Sequence, residues 1–101
     1  MTHLAIPAPA NTNLVRPVID PARERQCYHY ERICRAAASR HLSEMQATQD
    51  THRRARLVLL YEAEACFADA WAHEANGETA QAAWSFRRGH MLRAQARAVR
   101  V

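Results

Sequence analysis

The positions of proline and glycine constrain the fold of this chain more than any other feature of its sequence. All four prolines lie at or before Pro21, and the only two glycines are Gly77 and Gly89. These residues interrupt helices most strongly, whereas alanine, present 21 times, favours them. The sequence beyond Pro21 therefore predicts helix almost throughout. With 101 residues there is room for one domain, which we place at residues 20–101.

The first 19 residues form a separate segment. Pro7, Pro9 and Pro17 lack an amide donor and disfavour helix in the residue before each of them. We expect residues 1–19 to be an extended, flexible N-terminal arm, disordered over residues 1–12.

A long first helix is predicted to begin at Pro21, with Asp20 as its N-cap. An apolar stripe with helical spacing follows: Cys27, Tyr30, Cys34, Ala37, His41 and Met45. This stripe is lost between residues 46 and 56, where Asp50 or Thr51 offers a new N-cap, so we expect a turn at residues 48–52. Because no glycine or proline enforces that turn, one continuous helix over residues 21–75 is the alternative.

Asn76 and Gly77 separate two further helices, predicted over residues 53–75 and 79–97. Gly77 supplies the left-handed conformation that commonly ends a helix, so the two should form an antiparallel hairpin. The expected fold is thus all-α: a small three-helix bundle with a long N-terminal helix and a C-terminal α-hairpin. The predicted core face of the second helix is Leu57, Leu60, Phe67, Ala68, Trp71 and Ala75, and that of the third is Ala80, Ala83, Trp84, Met91, Ala94 and Ala98.

Small and aromatic residues of this hairpin follow a known pattern: Ala70, the Asn76-Gly77 turn, Ala82, Phe86 and Gly89. In these positions the stretch 63–92 resembles the inner part of a tetratricopeptide repeat. It departs from the repeat at Asp69 and His73 and has no closing proline. There is one copy at most, whereas stacked repeats need about three for stability. The resemblance implies an α-hairpin.

Charge changes sign at the turn. The segment 57–78 has five acidic residues and no arginine, whereas the segment 79–101 has five arginines and no acidic residue. Glu64 shares the core face of the second helix, and Arg87 lies among the predicted core positions of the third. An antiparallel hairpin brings the two within about one turn, roughly 5 Å. We predict a half-buried Glu64–Arg87 ion pair that fixes the register of the hairpin.

The third helix also has a second stripe, which we expect to face outward and to bind a partner. Its members are spaced by three or four residues: Phe86, His90, Arg93, Arg97 and Arg100. Arg88 lies near this stripe and is expected to take part in the contact. All 14 basic residues of the chain are arginines, whose planar, forked guanidinium groups suit carboxylates and phosphates.

No arrangement typical of a catalytic, cofactor or metal site is found. Glu64 has no second acid or base beside it, and two isolated glycines cannot form a phosphate-binding loop. Cys27, Cys34 and His41 are each separated by seven residues, about 10.5 Å along a helix, too far to share a zinc ion. Glu62, Cys66, Asp69 and His73 have better spacing, but no ligand from a second element accompanies them. We predict no catalytic residue, metal or cofactor.

The most consistent function is that of a small non-enzymatic module, an adaptor, regulator or inhibitor, that binds an acidic protein surface through the arginine stripe. A nucleic-acid-binding protein using the same helix is the alternative, and a metal-responsive dimer through Asp69 and His73 is a weaker one. The thin core favours a homodimer. The odd cysteine count, and the absence of a membrane span or signal peptide from the sequence, predict a cytoplasmic protein.

Overall fold

A computed structural model describes residues 19–100, and within them the chain forms three α-helices and no strand. Helix α1 spans Pro21–Ala47, α2 spans Thr51–Ala75 and α3 spans Thr79–Ala98. The all-α prediction is therefore confirmed. The alternative of one helix from 21 to 75 is wrong, because the helix ends at Ala47 and a second begins at Thr51. The predicted arm, apart from Ile19, lies outside the described residues.

The start of α1 follows from its first residues. The Asp20 carboxylate accepts a hydrogen bond of 3.2 Å from the backbone N–H of Ala22, and Pro21 takes the first helical position. Both features satisfy or remove amide donors that the first turn of a helix cannot satisfy itself.

Three polar residues make the turn between α1 and α2 without glycine or proline. Thr48 adopts an extended conformation, with φ −97° and ψ 143°, and this ends α1. Its hydroxyl accepts a hydrogen bond of 3.2 Å from the N–H of Asp50. The Asp50 carboxylate then accepts one of 3.0 Å from the N–H of Arg53 and caps α2. Hydrogen bonds from capping side chains thus separate α1 from α2, at the place where the loss of the apolar stripe predicts a turn.

The turn between α2 and α3 depends on Gly77, whose φ of 73° lies in the left-handed region. The Glu78 N–H donates to the carbonyl of His73 at 2.9 Å, and the Gly77 N–H donates to that of Glu74 at 3.1 Å. This pair of hydrogen bonds defines a Schellman motif. The chain reverses here, as the sequence predicts.

Helix α2 is the centre of the three-helix bundle. It packs against α1 on one side and against α3 on another, whereas α1 and α3 make no backbone contact with each other in the described part of the chain. Since α2 is antiparallel to both, α1 and α3 run in the same direction. This leaves an open space between α1 and α3, with α2 at its base.

The core is made mainly of alanine. Only three large apolar side chains are buried within residues 19–100, namely Leu57, Phe67 and Leu92. Gly89 is buried against Phe67: a Cβ atom at residue 89 would lie only 2.7 Å from Cε1 of the Phe67 ring. The small side chains therefore allow α2 and α3 to approach closely, and Phe67 fills the space that Gly89 leaves.

The predicted core face of α3 is wrong by about half a turn. The residues that are buried are Ala82, Ser85, Gly89, Leu92 and Ala96, whereas Ala80, Ala83, Met91, Ala94 and Ala98 are exposed and Trp84 is half-buried. The prediction followed the larger apolar side chains of the helix. The packing instead follows the smallest ones, because a helix with glycine, alanine and serine on one face approaches its neighbour more closely and gains dispersion contacts along its length.

Candidate partner-binding groove

A row of aromatic side chains lines the space between α1 and α3. The ring of Tyr30 in α1 lies 4.8 Å from that of Trp71 in α2. The Trp71 ring lies 5.1 Å from Phe86 in α3, edge to face. Phe67 continues the row, with its ring centroid 5.0 Å from that of His90. Trp71 therefore connects the two outer helices, which do not contact each other through their backbones. We call this surface the groove.

Two arginines cover rings of this row, and each pairs with a carboxylate. The guanidinium of Arg23 lies 5.6 Å from the Trp71 ring centroid and 3.7 Å from the Glu74 carboxylate. That of Arg93 lies 4.6 Å from the Phe67 ring centroid. Cation–π contacts of this kind contribute about 0.5–1 kcal/mol at exposed sites. The charges in the aromatic half of the groove are therefore largely neutralised.

The partner of Glu64 is Arg93, and the predicted Glu64–Arg87 pair is wrong. Arg93 donates a hydrogen bond of 2.8 Å to the Glu64 carboxylate, whose side chain is 14% exposed. Arg87 is exposed to solvent. It lies two residues from both Ser85 and Gly89, which is about 200° around the helix from the buried face. The half-turn error in the core face of α3 accounts for the wrong partner.

Because the buried face of α3 differs by about half a turn from the predicted one, the stripe that we expected to face outward lies elsewhere. Four of its members directly follow a buried residue and so lie beside the α2 contact, on the groove side: Phe86, His90, Arg93 and Arg97. Phe86 is half-buried and packs against Phe67 and Leu92 of the core, and Arg93 is paired with Glu64. Those two residues were wrongly placed on a free surface. His90, Arg97 and Arg100 are exposed.

Arg88 lies on the opposite side of α3 from the groove, next to Cys66. Burial raises the pKa of the Cys66 thiol, and the Arg88 guanidinium lowers it in part. Burial likewise raises the pKa of Cys34, as does the neighbouring Glu64 carboxylate. Since a cysteine reacts as its thiolate, these environments do not favour a reactive thiol. Arg88 therefore does not line the groove.

The far end of the groove is rich in arginine. On α2, Arg53, Arg56, Leu60, Glu64, Phe67 and Trp71 follow one another at steps of three or four and form a single face. Because Arg93 pairs with Glu64 and the helices are antiparallel, Arg97 lies level with Leu60. Arg100 follows two residues after α3 ends at Ala98. We call Arg53, Arg56, Arg97 and Arg100 the arginine end. All four are exposed.

A shallow cavity of about 290 Å³ opens at this end, lined by His41, Glu44, Arg53, Arg56, Leu57 and Leu60. Nδ1 of His41 is buried and has no hydrogen-bond partner among residues 19–100. Glu44 is the only carboxylate in the lining. No ion pair involving an arginine of the arginine end is found within the described residues. The cavity therefore combines an apolar base with unneutralised positive charge.

The other polar stripe considered from the sequence is divided between separate contacts. Asp69 lies 3.5 Å from the guanidinium of Arg35, and Nδ1 of His73 lies 3.3 Å from the Glu78 carboxylate. Across residues 19–100 no group of three or more histidine, cysteine or acidic side chains is arranged to hold a metal ion. The structure thus brings Asp69 and His73 to different partners.

Several groove residues were missed from the sequence, above all Tyr30, Ile33 and the two arginines of α2. The face from Arg53 to Trp71 is regular in spacing and was visible. The sequence predicts a core face on α2 only from Leu57 to Ala75, whereas this face continues to the exposed Arg53 and Arg56 and so changes from apolar to basic. The exposure of Ile33, 50%, and of Tyr30, 36%, follows from the open space between α1 and α3, which the sequence does not reveal.

Comparisons with known proteins identify no relative: no family model matches the chain, and neither the curated proteins nor the solved structures contain a significant match. None of the three helices is both long enough and apolar enough to cross a membrane.

Proposed function

We propose that the chain is a non-enzymatic module that binds another protein in the groove and acts as an adaptor, regulator or inhibitor. The observation that carries this proposal is the row of aromatic side chains along the groove, of which Tyr30 is 36% exposed, together with the exposed arginines at its far end, for which residues 19–100 provide no acidic partner. Tryptophan, tyrosine and arginine are over-represented among the residues that dominate binding energy at protein interfaces. In the groove they occur together, on helices that hold them in fixed positions.

Exposed apolar surface in the groove supports this function further. Tyr30, whose ring packs on Trp71, is 36% exposed, and Ile33, three residues further along α1 and so next to Tyr30 on the helix surface, is 50% exposed. A partner side chain placed there would remove apolar area from water, at about 25 cal/mol per Å². The polar and charged groups around it would form the rim that surrounds a typical interface core.

A nucleic-acid-binding function is the second candidate, favoured by the four arginines of the arginine end. Aromatic rings can also stack on unpaired bases. In the aromatic half, however, Arg23 and Arg93 are each paired with a carboxylate, so this half offers little net positive charge to a phosphate backbone that follows the groove. Binding to duplex DNA with a steep dependence on salt would favour this candidate over a protein partner.

We further propose a cytoplasmic homodimer. All three cysteines are free thiols, which suits a reducing compartment. A core with three large buried side chains leaves the monomer little apolar burial, and self-association is a common remedy in small domains. Light scattering on the purified protein should give twice the mass of the chain. A monomer mass at micromolar concentration would contradict the homodimer.

Site-specific photo-cross-linking tests the groove directly. A benzophenone amino acid replaces Ile33 in the groove or, as the matched control, Val58, which is 37% exposed but lies two residues from Leu60 and so about 200° away on α2. In the native cell we expect a discrete protein adduct from position 33 and none from position 58. Equal adducts from both positions, or none from position 33, would refute binding through the groove.

A further inference from the structure

The two halves of the groove differ in charge. In the aromatic half each arginine that touches a ring is paired: Arg23 with Glu74 and Arg93 with Glu64. That half therefore presents mainly aromatic and aliphatic surface, including the exposed side chains of Tyr30 and Ile33. A ligand segment that fits it has apolar side chains.

The arginine end presents the opposite chemistry. Arg53 and Arg56 belong to α2, Arg97 belongs to α3 and Arg100 follows the end of α3, and Glu44 is the one carboxylate in the lining of the adjoining cavity. Like charges placed close together repel one another and cost stability in the free protein. A ligand with carboxylates at this end would relieve that repulsion and accept forked hydrogen bonds from the guanidinium groups. Leu57 and Leu60 add an apolar base to the cavity.

The length of the groove indicates the size of the segment. From Arg56 to Trp71 the face of α2 covers 15 residues, about 22 Å along the helix axis. A helix of about four turns has this length. Its two walls, α1 and α3, run in the same direction and their backbones make no contact, so a further helix placed between them would complete a four-helix arrangement.

We infer that the groove receives an acidic amphipathic helix of a partner protein. Its apolar residues, at helical spacing, lie on Tyr30, Ile33 and Trp71, and its glutamates or aspartates face Arg53, Arg56 and Arg97. This inference rests on the proposed function and adds the chemistry and size of the bound segment. It distinguishes such a partner from nucleic acid, which carries negative charge along its whole length and no apolar half.

The test uses synthetic probes and the full chain. A fluorescent 16-residue helical peptide carries leucines on one face of its first half and glutamates on the same face of its second half. A second peptide has every glutamate replaced by glutamine, and a third probe is a 16-base-pair DNA duplex. Fluorescence anisotropy measures the Kd of each probe at low and high salt. We expect the acidic peptide to bind most tightly and to weaken as salt rises.

Matched variants locate the binding. The double variant Arg53→Gln/Arg97→Gln should raise the Kd of the acidic peptide about tenfold or more. Arg25→Gln/Arg32→Gln removes the same charge from exposed positions of α1 that lie away from the groove and should leave the Kd nearly unchanged. Ile33→Ser should weaken both peptides. Circular dichroism checks that each variant is folded. Equal losses in the two arginine variants would overturn the inference, because binding would then follow net charge alone.

The other outcomes separate this inference from the proposed function. If the glutamine peptide binds as tightly as the acidic one, the acidic partner is refuted and protein binding in the groove stands. The same conclusion follows if neither peptide binds while position 33 still cross-links to a protein in the cell. If neither peptide binds and position 33 gives no adduct, both are refuted. Tighter binding of the DNA duplex than of either peptide would also refute both.

Discussion

At the scale of single residues, Glu64 shows how one carboxylate connects the three helices. It lies on α2, receives a hydrogen bond from Arg93 of α3 at 2.8 Å, and neighbours Cys34 of α1, whose pKa it helps to raise. The Arg93 side chain is 40% exposed, so solvent screens part of this interaction. Because the carboxylate itself is mostly buried, removing Arg93 would leave it without a partner and would cost more than breaking a surface ion pair.

We predict that Glu64→Gln lowers the free energy of unfolding by about 1–3 kcal/mol, the range for hydrogen bonds to charged groups. Urea denaturation of the single and double variants measures the coupling. Glu64→Gln and Arg93→Gln should be non-additive by about 0.5 kcal/mol or more. Arg87→Gln is the control and should be additive with Glu64→Gln. If Glu64→Gln is instead non-additive with Arg87→Gln, the ion pair is the one that the sequence predicts.

Gly89 is the position where packing opposes helix propensity. Alanine is about 1 kcal/mol more favourable than glycine inside a helix, yet its Cβ would lie 2.7 Å from the Phe67 ring. We predict that Gly89→Ala is destabilising by about 1–2 kcal/mol, because overpacking exceeds the gain in propensity. In a Phe67→Leu background the same substitution should become neutral or stabilising. A stabilising effect in both backgrounds, measured by thermal unfolding, would show that the ring moves aside freely.

At the scale of elements, the N-terminal end of α2 has charges that do not suit a helix. Its first turn contains no acidic residue, and His52, Arg53, Arg54 and Arg56 follow one another closely. The N-terminus of a helix carries partial positive charge, so cations there are unfavourable. Sequences commonly break local rules of this kind at functional positions. The proposed binding of acidic groups at the arginine end would account for Arg53 and Arg56, which helix stability does not.

At this scale we predict that one substitution at the start of α2 raises the stability of the protein and weakens its binding of the acidic peptide. Arg53→Glu should raise the free energy of unfolding by about 0.5–1 kcal/mol, because it places a negative charge in the first turn of α2. The same variant should bind the acidic peptide more weakly than the wild type. Arg25→Glu in α1 lies away from the groove and is the control for binding. Loss of stability in Arg53→Glu, measured by urea denaturation, would mean that Arg53 makes a stabilising contact within the protein.

At the scale of the whole molecule, the three cysteines all lower the free energy of unfolding as the pH rises. Burial raises the pKa of Cys27, Cys34 and Cys66 above their ordinary value of 9.0. Below pH 9.0 the thiols are protonated in both the folded and the unfolded chain. Above it the unfolded chain releases protons that the folded chain retains. Stability that depends on these thiols is therefore complete below the unfolded pKa and falls as the pH rises toward the folded pKa.

We predict a steeper loss of stability between pH 8 and pH 10 in the wild type than in a variant with all three cysteines replaced by alanine. The pH range spans the ordinary thiol pKa of about 8.5–9. Urea denaturation at several pH values gives the two slopes, and comparing slopes removes the constant cost of the three substitutions. Parallel slopes would show that the thiols titrate alike in the folded and unfolded chains.

The sequence alone predicted the helical fold, the start of α1 and the turn at Gly77, and it left open whether residues 21–75 form one helix or two. Within residues 19–100, proline and glycine occur only where a helix begins, where the chain reverses or, at Gly89, where a neighbour approaches closely. Asp20, Asp50 and Gly77 satisfy helix termini through atoms within a few residues. These interactions are local, and so they can be read from neighbouring letters. The Asn76-Gly77 turn also determined that α2 and α3 form an antiparallel hairpin.

Only the tertiary structure decided which face of α3 is buried and which charges pair. Two stripes of α3 compete for the contact with α2, and their side chains differ little in hydrophobicity. The choice depends on how closely the backbones approach, and Gly89 with Phe67 settles it. That choice moves Arg87 into solvent, joins Arg93 to Glu64 and turns the arginine stripe toward α1. The groove exists because α1 and α3 pack on the same helix without packing on each other, a relation between distant segments that no local pattern encodes.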